Sequence, residues 1–136
     1  MNIGLDIHGV VDRYPKFFAE MTRLFVDEGH KVHVITGATL RQDHPKGVEN
    51  LKFIGEVLGL SFTHHFSIVD YQEEIGTEIE YLDDSDNPWM DGEMWDRTKG
   101  DYCKKHGIDI MLDDTQRYSK YFVTPFVQFM PIKPEK

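Results

Sequence analysis

The 136-residue chain is short of the features that would place it outside the soluble globular proteins. It has a single cysteine, Cys103, so no intramolecular disulfide can form, and a reducing, cytoplasmic setting is expected. Nothing around Cys103 marks it as a thiol nucleophile. No apolar run approaches the roughly 18 residues that a membrane-spanning helix needs. The N-terminus enters an apolar strand directly, without the basic region and cleavage site of a secretory signal. Basic residues are the scarce charge: 15 Lys and Arg against 24 Asp and Glu, a formal net charge of −9. Phosphate-backbone binding needs clustered Lys and Arg, and only Lys104-Lys105 adjoin, so nucleic acid is not the expected partner. Much of the acidity falls between Asp70 and Asp96, which reads as a solvated excursion.

Hydrophobic periodicity supplies what is present. Asn2–Leu5 reads as a buried strand, and Pro15–Glu28 as a helix with Phe17, Phe18, Met21, Leu24 and Phe25 at helical spacing. Pro15 suits its first turn and Gly29 its C-terminal cap. His30–Ile35 is a second strand, closed by Thr36-Gly37. Pro45–Leu58 is a second helix, with Leu51, Ile54, Val57 and Leu58 facing inward, and a third strand lies within Phe62–Val69. Asp70–Asn87 lacks clean periodicity and fits a hairpin or an irregular lobe, with Ile75, Ile79 and Tyr81 as candidate strand residues.

Trp89–Lys105 reads as helical in pieces, broken at Gly92 and Gly100. Its last turn carries Lys104, Lys105 and His106, where the helix dipole favours cations. A fourth strand follows at Ile108–Leu112, a short helix at Thr115–Tyr121 and a fifth strand at Phe122–Phe129. Pro131 and Pro134 mark a frayed tail over 131–136. The alternation predicts one α/β domain over 1–136: a three-layer, Rossmann-like sandwich with a mostly parallel five-stranded sheet. A small flap-like insertion over 70–98 follows the third strand.

Open sheets of this kind bind ligands beyond the carboxyl ends of their strands. Three chemistry-bearing positions fall there: Asp6 after the first strand, Thr36 after the second, and Asp113-Asp114 after the fourth. Carboxylates gathered in this way suit a hard cation such as Mg²⁺, with a carboxylate nucleophile among them. Gly9 frees the turn after the first strand for backbone N–H groups to face a phosphate. The Thr36 hydroxyl can donate to a phosphate oxygen, Gly37 continues that turn, and Lys99 can supply a fixed positive charge.

In this order the motifs resemble the haloacid dehalogenase-like phosphatase superfamily over nearly the whole chain. Asp6-Ile7-His8-Gly9-Val10 is similar to its first motif, and Val32-His33-Val34-Ile35-Thr36-Gly37 to its second. Lys99, fourteen residues before Asp113, stands in the place of its lysine. Met111-Leu112-Asp113-Asp114 is similar to its acidic motif. The resemblance implies Asp6 as the nucleophile that forms an aspartyl-phosphate. It implies an Mg²⁺ shell of Asp6, the His8 backbone carbonyl and Asp113, with Asp114 as an outer or alternative ligand, and phosphate contacts from Thr36 and Lys99. Lys104 or Lys105 is the fallback for Lys99.

One position departs: His8 stands where the superfamily's phosphatases carry a second Asp as acid and base. Loss of such a group typically costs about 10²–10⁴ in rate. Imidazole, with an ordinary pKa of about 6.5, can serve both roles near neutrality. His8 is therefore a working acid/base, a mark of altered leaving-group chemistry, or a mark of lost activity. The expected function is Mg²⁺-dependent hydrolysis of a phosphate monoester such as a nucleotide, a sugar phosphate or another phosphometabolite. The alternative is a domain that binds a phosphorylated partner without turnover. A receiver-like regulatory domain also gathers strand-end Asp residues, but its acidic pair follows the first strand, which does not happen here. With so small an insertion the site should be open, or covered by a second copy in a homo-oligomer.

Other residues carry weaker signals. Asp12 either steers substrate or caps the helix that starts at Pro15. His30 and His33, and the adjacent His64 and His65, do not have the spacing of shared metal ligands. Asp83-Asp84-Ser85-Asp86 starts like a calcium loop but lacks its Gly and terminal Glu. Arg41 and Lys46 fit substrate contacts and surface charges equally well. Trp89 and Trp95 are expected to pack the lobe, the lesser alternative being that one of them lines the pocket.

Overall fold

The computed structural model describes residues 1–81 and 88–130. In chain order the elements are β1 (Asn2–Leu5), α1 (Pro15–Asp27), β2 (Lys31–Thr36), α2 (Pro45–Lys52), β3 (His64–Ser67), α3 (Ile68–Glu74), β4 (Glu80–Tyr81), β5 (Pro88–Trp89), α4 (Gly92–Lys105), β6 (Ile110–Asp113) and β7 (Phe126–Gln128). A π-helical turn, Phe53–Val57, extends α2, and a 3₁₀ helix, Gln116–Tyr121, joins β6 to β7. Five strands form one sheet in the order β3-β2-β1-β6-β7, and every pairing in it is parallel. The fold is therefore a Rossmann-like α/β sandwich with an all-parallel sheet. No helix among the described residues is long and apolar enough to cross a membrane.

Strand alternation sends successive side chains to opposite faces, and each face has its own helices. Ile3, Leu5, Val32 and Val34 pack with Phe18 of α1 and Ile54 of the turn after α2. Ile35, Met111 and Ile108 pack on the other face with Cys103 of α4. Gly4 points to that second face, where a Cβ would stand 2.8 Å from Met111 Sδ. The chain leaves β1 for β2 and β3 on one side, then returns to β6 and β7 on the other. β1 and β6 therefore flank the crevice at which the strand order reverses, the usual ligand position in open parallel sheets.

Several boundaries differ from the sequence expectation. The third strand does lie within its expected range, and it ends at Ser67, because the Ser67 hydroxyl accepts the Asp70 N–H and starts α3 there. Only the start of the region expected to be irregular, residues 70–74, is thus helical, and Ile68, Val69 and Gln72 of that helix are buried. Ile75 is the C-cap of that helix and 55% exposed rather than a strand residue. Tyr81 does lie in a strand, in the antiparallel hairpin of β4 and β5, which also takes Trp89.

The helix leading to β6 is continuous rather than broken. Gly92 is its first residue, after an Asp91 N-cap whose side chain accepts the Met94 N–H. Gly100 lies inside it because a Cβ there would meet the Tyr121 carbonyl oxygen at 2.5 Å. Val57, expected inward, is 70% exposed, since the wider π-helical turn shifts the phase of the buried stripe. The fifth strand is shorter than expected, Phe126–Gln128. The acidic 83–86 stretch and the 131–136 tail lie outside the described residues.

Candidate active site

The ladder between β1 and β6 pairs Leu5 with Leu112 and continues one residue further, where the Asp6 N–H donates to the Leu112 carbonyl at 3.0 Å. That pairing brings Asp6 beside Asp113 at the carboxyl end of the sheet. From the α4 face, the Lys99 side chain reaches up between them. Its Nζ donates to Asp6 Oδ1 at 2.9 Å and to Asp113 Oδ2 at 2.8 Å. All three residues are buried. Asp113 Oδ1 accepts the Thr115 N–H at 2.9 Å, so both oxygens of Asp113 are engaged by protein.

The trio holds two carboxylates and one ammonium in a low-dielectric setting, and this governs its protonation. Burial pushes the Asp6 carboxyl up to about 7 against the pull of Lys99, with the charges of Asp113 and Asp114 pushing the same way. Burial also works to neutralise Lys99, but Asp6 and Asp113 outweigh it and hold the ammonium charged. One negative charge in the trio remains unbalanced, which a proton on Asp6 or an added cation would offset.

A cation fits the donor set. Asp6, Asp113 and Asp114 can each offer a carboxylate oxygen, and these atoms lie within 4.8 Å of one another. Oxygen-only ligands of this kind suit Mg²⁺ or Ca²⁺ rather than softer metals. Asp114 is the exposed member of the acidic pair and lines the cleft, whereas Asp113 lies beneath it, bonded to Lys99 and Thr115. The expected ranking of the two as ligands is thus the reverse of their accessibility.

The cleft above the trio has a volume of about 410 Å³, within the range of small-ligand pockets. Thr36 and Gly37, at the end of β2, form one side of it, and Asp6, Lys99 and Asp114 line it too. His8 sits at the rim with its side chain 67% exposed, its Nδ1 3.5 Å from Asp12 Oδ2. The other Asp12 oxygen accepts the Gly9 N–H at 2.8 Å. Asp12 therefore does not cap α1, whose N-cap is Tyr14 without a side-chain bond; it braces the turn and stands beside the imidazole. Gly9 has φ 88°, and a Cβ there would lie 2.1 Å from Asp114 Oδ2. Its N–H is taken by Asp12, so what Gly9 provides is the space into which Asp114 folds.

Other candidates fall elsewhere. Arg41 is bound to Asp43 and Glu73 away from the cleft, and Lys46 lies near Glu49 on the surface. Lys104 and Lys105 are exposed at the end of α4. His33 and His64 stack on one another and His65 lies in a separate groove. That groove, about 800 Å³ between α3 and α4, is larger than the cleft but lacks its convergence of buried charges.

Sequence reasoning held a pocket-lining tryptophan only as the lesser alternative and missed Tyr118, Ile68, Pro88 and Thr115; Trp95 and these four all line the cleft. Trp95 was recoverable: it precedes Lys99 by four residues, one helical turn toward the mouth of the cleft on the same face of α4. No protein-family model matches this sequence, and no curated protein matches it significantly.

Proposed function

We propose that this chain is an Mg²⁺-dependent phosphohydrolase resembling the haloacid dehalogenase-like phosphatases, acting on a phosphate monoester through an aspartyl-phosphate on Asp6. The observation that carries the reading is the Lys99 ammonium bonded to both Asp6 and Asp113 at the crevice between β1 and β6. A buried lysine fixed in this way orients one oxygen of Asp6 and leaves the other to approach phosphorus. Mg²⁺ bound among Asp6, Asp114 and Asp113 would neutralise charge on the transferring phosphoryl group and keep Asp6 ionised. Thr36, at the side of the cleft, would donate to a phosphoryl oxygen, and Lys99 would add its positive charge from below.

In the first step an Asp6 oxygen bonds to phosphorus as the bond to the ester oxygen breaks, and His8 in its imidazolium form gives that oxygen a proton. In the second, neutral His8 takes a proton from water as the water oxygen attacks phosphorus. Asp6 leaves as a carboxylate and inorganic phosphate is released. Asp12 beside His8 orients the imidazole.

The test is turnover of a panel of phosphate monoesters with and without Mg²⁺, against Asp6→Asn. Phosphate release that needs both Mg²⁺ and Asp6 is the expected result. Absence of such turnover with every ester would remove the catalytic reading and leave a domain that binds a phosphorylated partner.

A further inference from the structure

We propose that the outer wall of the cleft, formed by Trp95 with Tyr118, Ile68 and Pro88, receives a flat aromatic group. The preferred substrates would then be monoesters of nucleosides or aryl alcohols rather than of sugars or polyols. This inference rests on the phosphohydrolase reading for its reaction, but not for its binding site.

Trp95 lines the cleft. Its six-membered ring lies against Gly37 at the end of β2, where a Cβ would approach Trp95 Cζ2 to 2.7 Å. Along the same edge, its indole Nε1–H donates to the Tyr118 hydroxyl at 3.0 Å, in the 3₁₀ helix that follows β6. The indole is thus held along its Nε1–Cζ2 edge, one helical turn out from Lys99, between the end of β2 and the segment after β6. Gly37 carries no side chain, which is what lets the ring sit this close to the Thr36 turn. Tyr118 is itself held, with the Lys99 ammonium 5.5 Å from its ring centre.

The polar groups are unevenly placed. Asp6, Lys99, Thr36, Asp114 and Thr115 gather around the reacting end. Among the described residues, the wall offers Ile68, Pro88, the indole and Tyr118, whose hydroxyl accepts from the indole. The one indole donor is already spent on Tyr118, so what Trp95 presents to a ligand is its π surface. A sugar leaving group brings several hydroxyls that lose water on entry and need partners in exchange, and this wall supplies few. A nucleobase or aryl ring brings a flat face, and stacking on a rigid aromatic side chain tolerates any ring with a π face.

Two measurements test the proposal. KM is compared for adenosine 5′-monophosphate, 4-nitrophenyl phosphate and glucose 6-phosphate in the parent chain, Trp95→Phe and Trp95→Ala. The ring-bearing esters should show KM values roughly tenfold or more below that of glucose 6-phosphate. Trp95→Ala should remove that difference and Trp95→Phe should keep most of it. If only the nucleotide is favoured, the subsite reads a nucleoside; if both are, it reads any aromatic ring.

The second measurement needs no turnover. The chain has two tryptophans, so in a Trp89→Phe background the intrinsic fluorescence reports Trp95 alone. Adenosine 5′-monophosphate should quench it at concentrations where glucose 6-phosphate does not. Quenching without turnover of any ester would keep the subsite and remove the phosphohydrolase reading. Turnover without preference for the aromatic esters, or losses on Trp95→Phe and Trp95→Ala that are equal for all three, would overturn the subsite and keep that reading.

Discussion

His33 and His64 lie face to face on adjacent strands, with ring centres 4.3 Å apart and planes 6° from parallel. His33 Nδ1 and the Tyr102 hydroxyl share a hydrogen bond at 2.7 Å, and the His106 ring stacks on Tyr102. Burial lowers the His33 pKa to about 4, with His64 and His106 adding to the effect. An imidazole titrates near 6.5 in the unfolded chain, so between about 6.5 and about 4 the unfolded state binds the extra proton. His33 therefore destabilises the fold progressively as pH falls through that window.

Asp6 acts with the opposite sign. Its folded pKa of about 7 lies above the unfolded value of 3.8, so the folded state holds the extra proton between those limits. Its contribution to stability is lost as pH rises toward 7. Urea midpoints of His33→Gln and Asp6→Asn, each compared with the parent from pH 4.5 to 7.5 without Mg²⁺, separate the two. His33→Gln should gain on the parent as the solution is acidified, and Asp6→Asn should gain on it as the solution is made neutral. Difference curves without slope would contradict both assignments.

Lys99→Met should be among the most damaging single substitutions in this chain. It leaves Asp6 and Asp113 facing each other in a buried site with no cation between them. Removing one partner from a buried ion pair costs about 3–5 kcal/mol. Because the remaining cost is repulsion between carboxylates, it should shrink as pH falls and Asp6 takes a proton. Thermal unfolding at pH 8 and pH 5.5 checks this. A loss of the same size at both pH values would mean that Lys99 acts through packing alone.

The reach of the sequence into this site followed from where its signals are local. Asp6 and Asp113 end short apolar strands, and a parallel sheet aligns such ends, so their meeting was readable before any coordinates. The same holds for Thr36. The unbroken α4 and the helix α3 were not readable, because in both cases tertiary packing overrides a local rule. Gly100 carries a helix penalty of about 1 kcal/mol, yet α4 runs through it, since only glycine fits under the Tyr121 carbonyl. Gln72 looks like a surface residue but is buried, exchanging hydrogen bonds with Thr98 and Thr77. Asp12 had the right spacing for two roles, and the choice depended on the Gly9 N–H, which has no sequence signal.

Gly9→Ala separates backbone strain from crowding. A Cβ at φ 88° is strained wherever it points, and here it also runs into the Asp114 carboxylate. The substitution should cost roughly 2–4 kcal/mol, the strain adding to an overpacking cost. In a Gly9→Ala/Asp114→Ala double variant the crowding is gone and only the strain remains, roughly 1–2 kcal/mol. Denaturant midpoints of the two single variants and the double variant form the cycle. If the double variant loses the sum of the single losses, Asp114 does not fold over Gly9.

His8 bears on the proton transfers, and leaving-group dependence isolates its part. A 4-nitrophenolate departs without help, whereas a simple alkyl alkoxide needs a proton as the bond to phosphorus breaks. In the proposed mechanism His8→Ala should lower kcat for an alkyl phosphate by about 10²–10⁴. The formation of aspartyl-phosphate from 4-nitrophenyl phosphate should be nearly unaffected, so a burst of 4-nitrophenol should precede slow steady turnover. The slow phase would reflect the second step, where His8 is needed as the base toward water. Asp12→Asn keeps the acceptor for the Gly9 N–H but removes the charge beside Nδ1. It should give a smaller loss of the same pattern. Steady-state and pre-steady-state phosphate and phenol release measure both. Equal losses on the two esters in the first phase would show that His8 acts by shaping the turn rather than by moving protons.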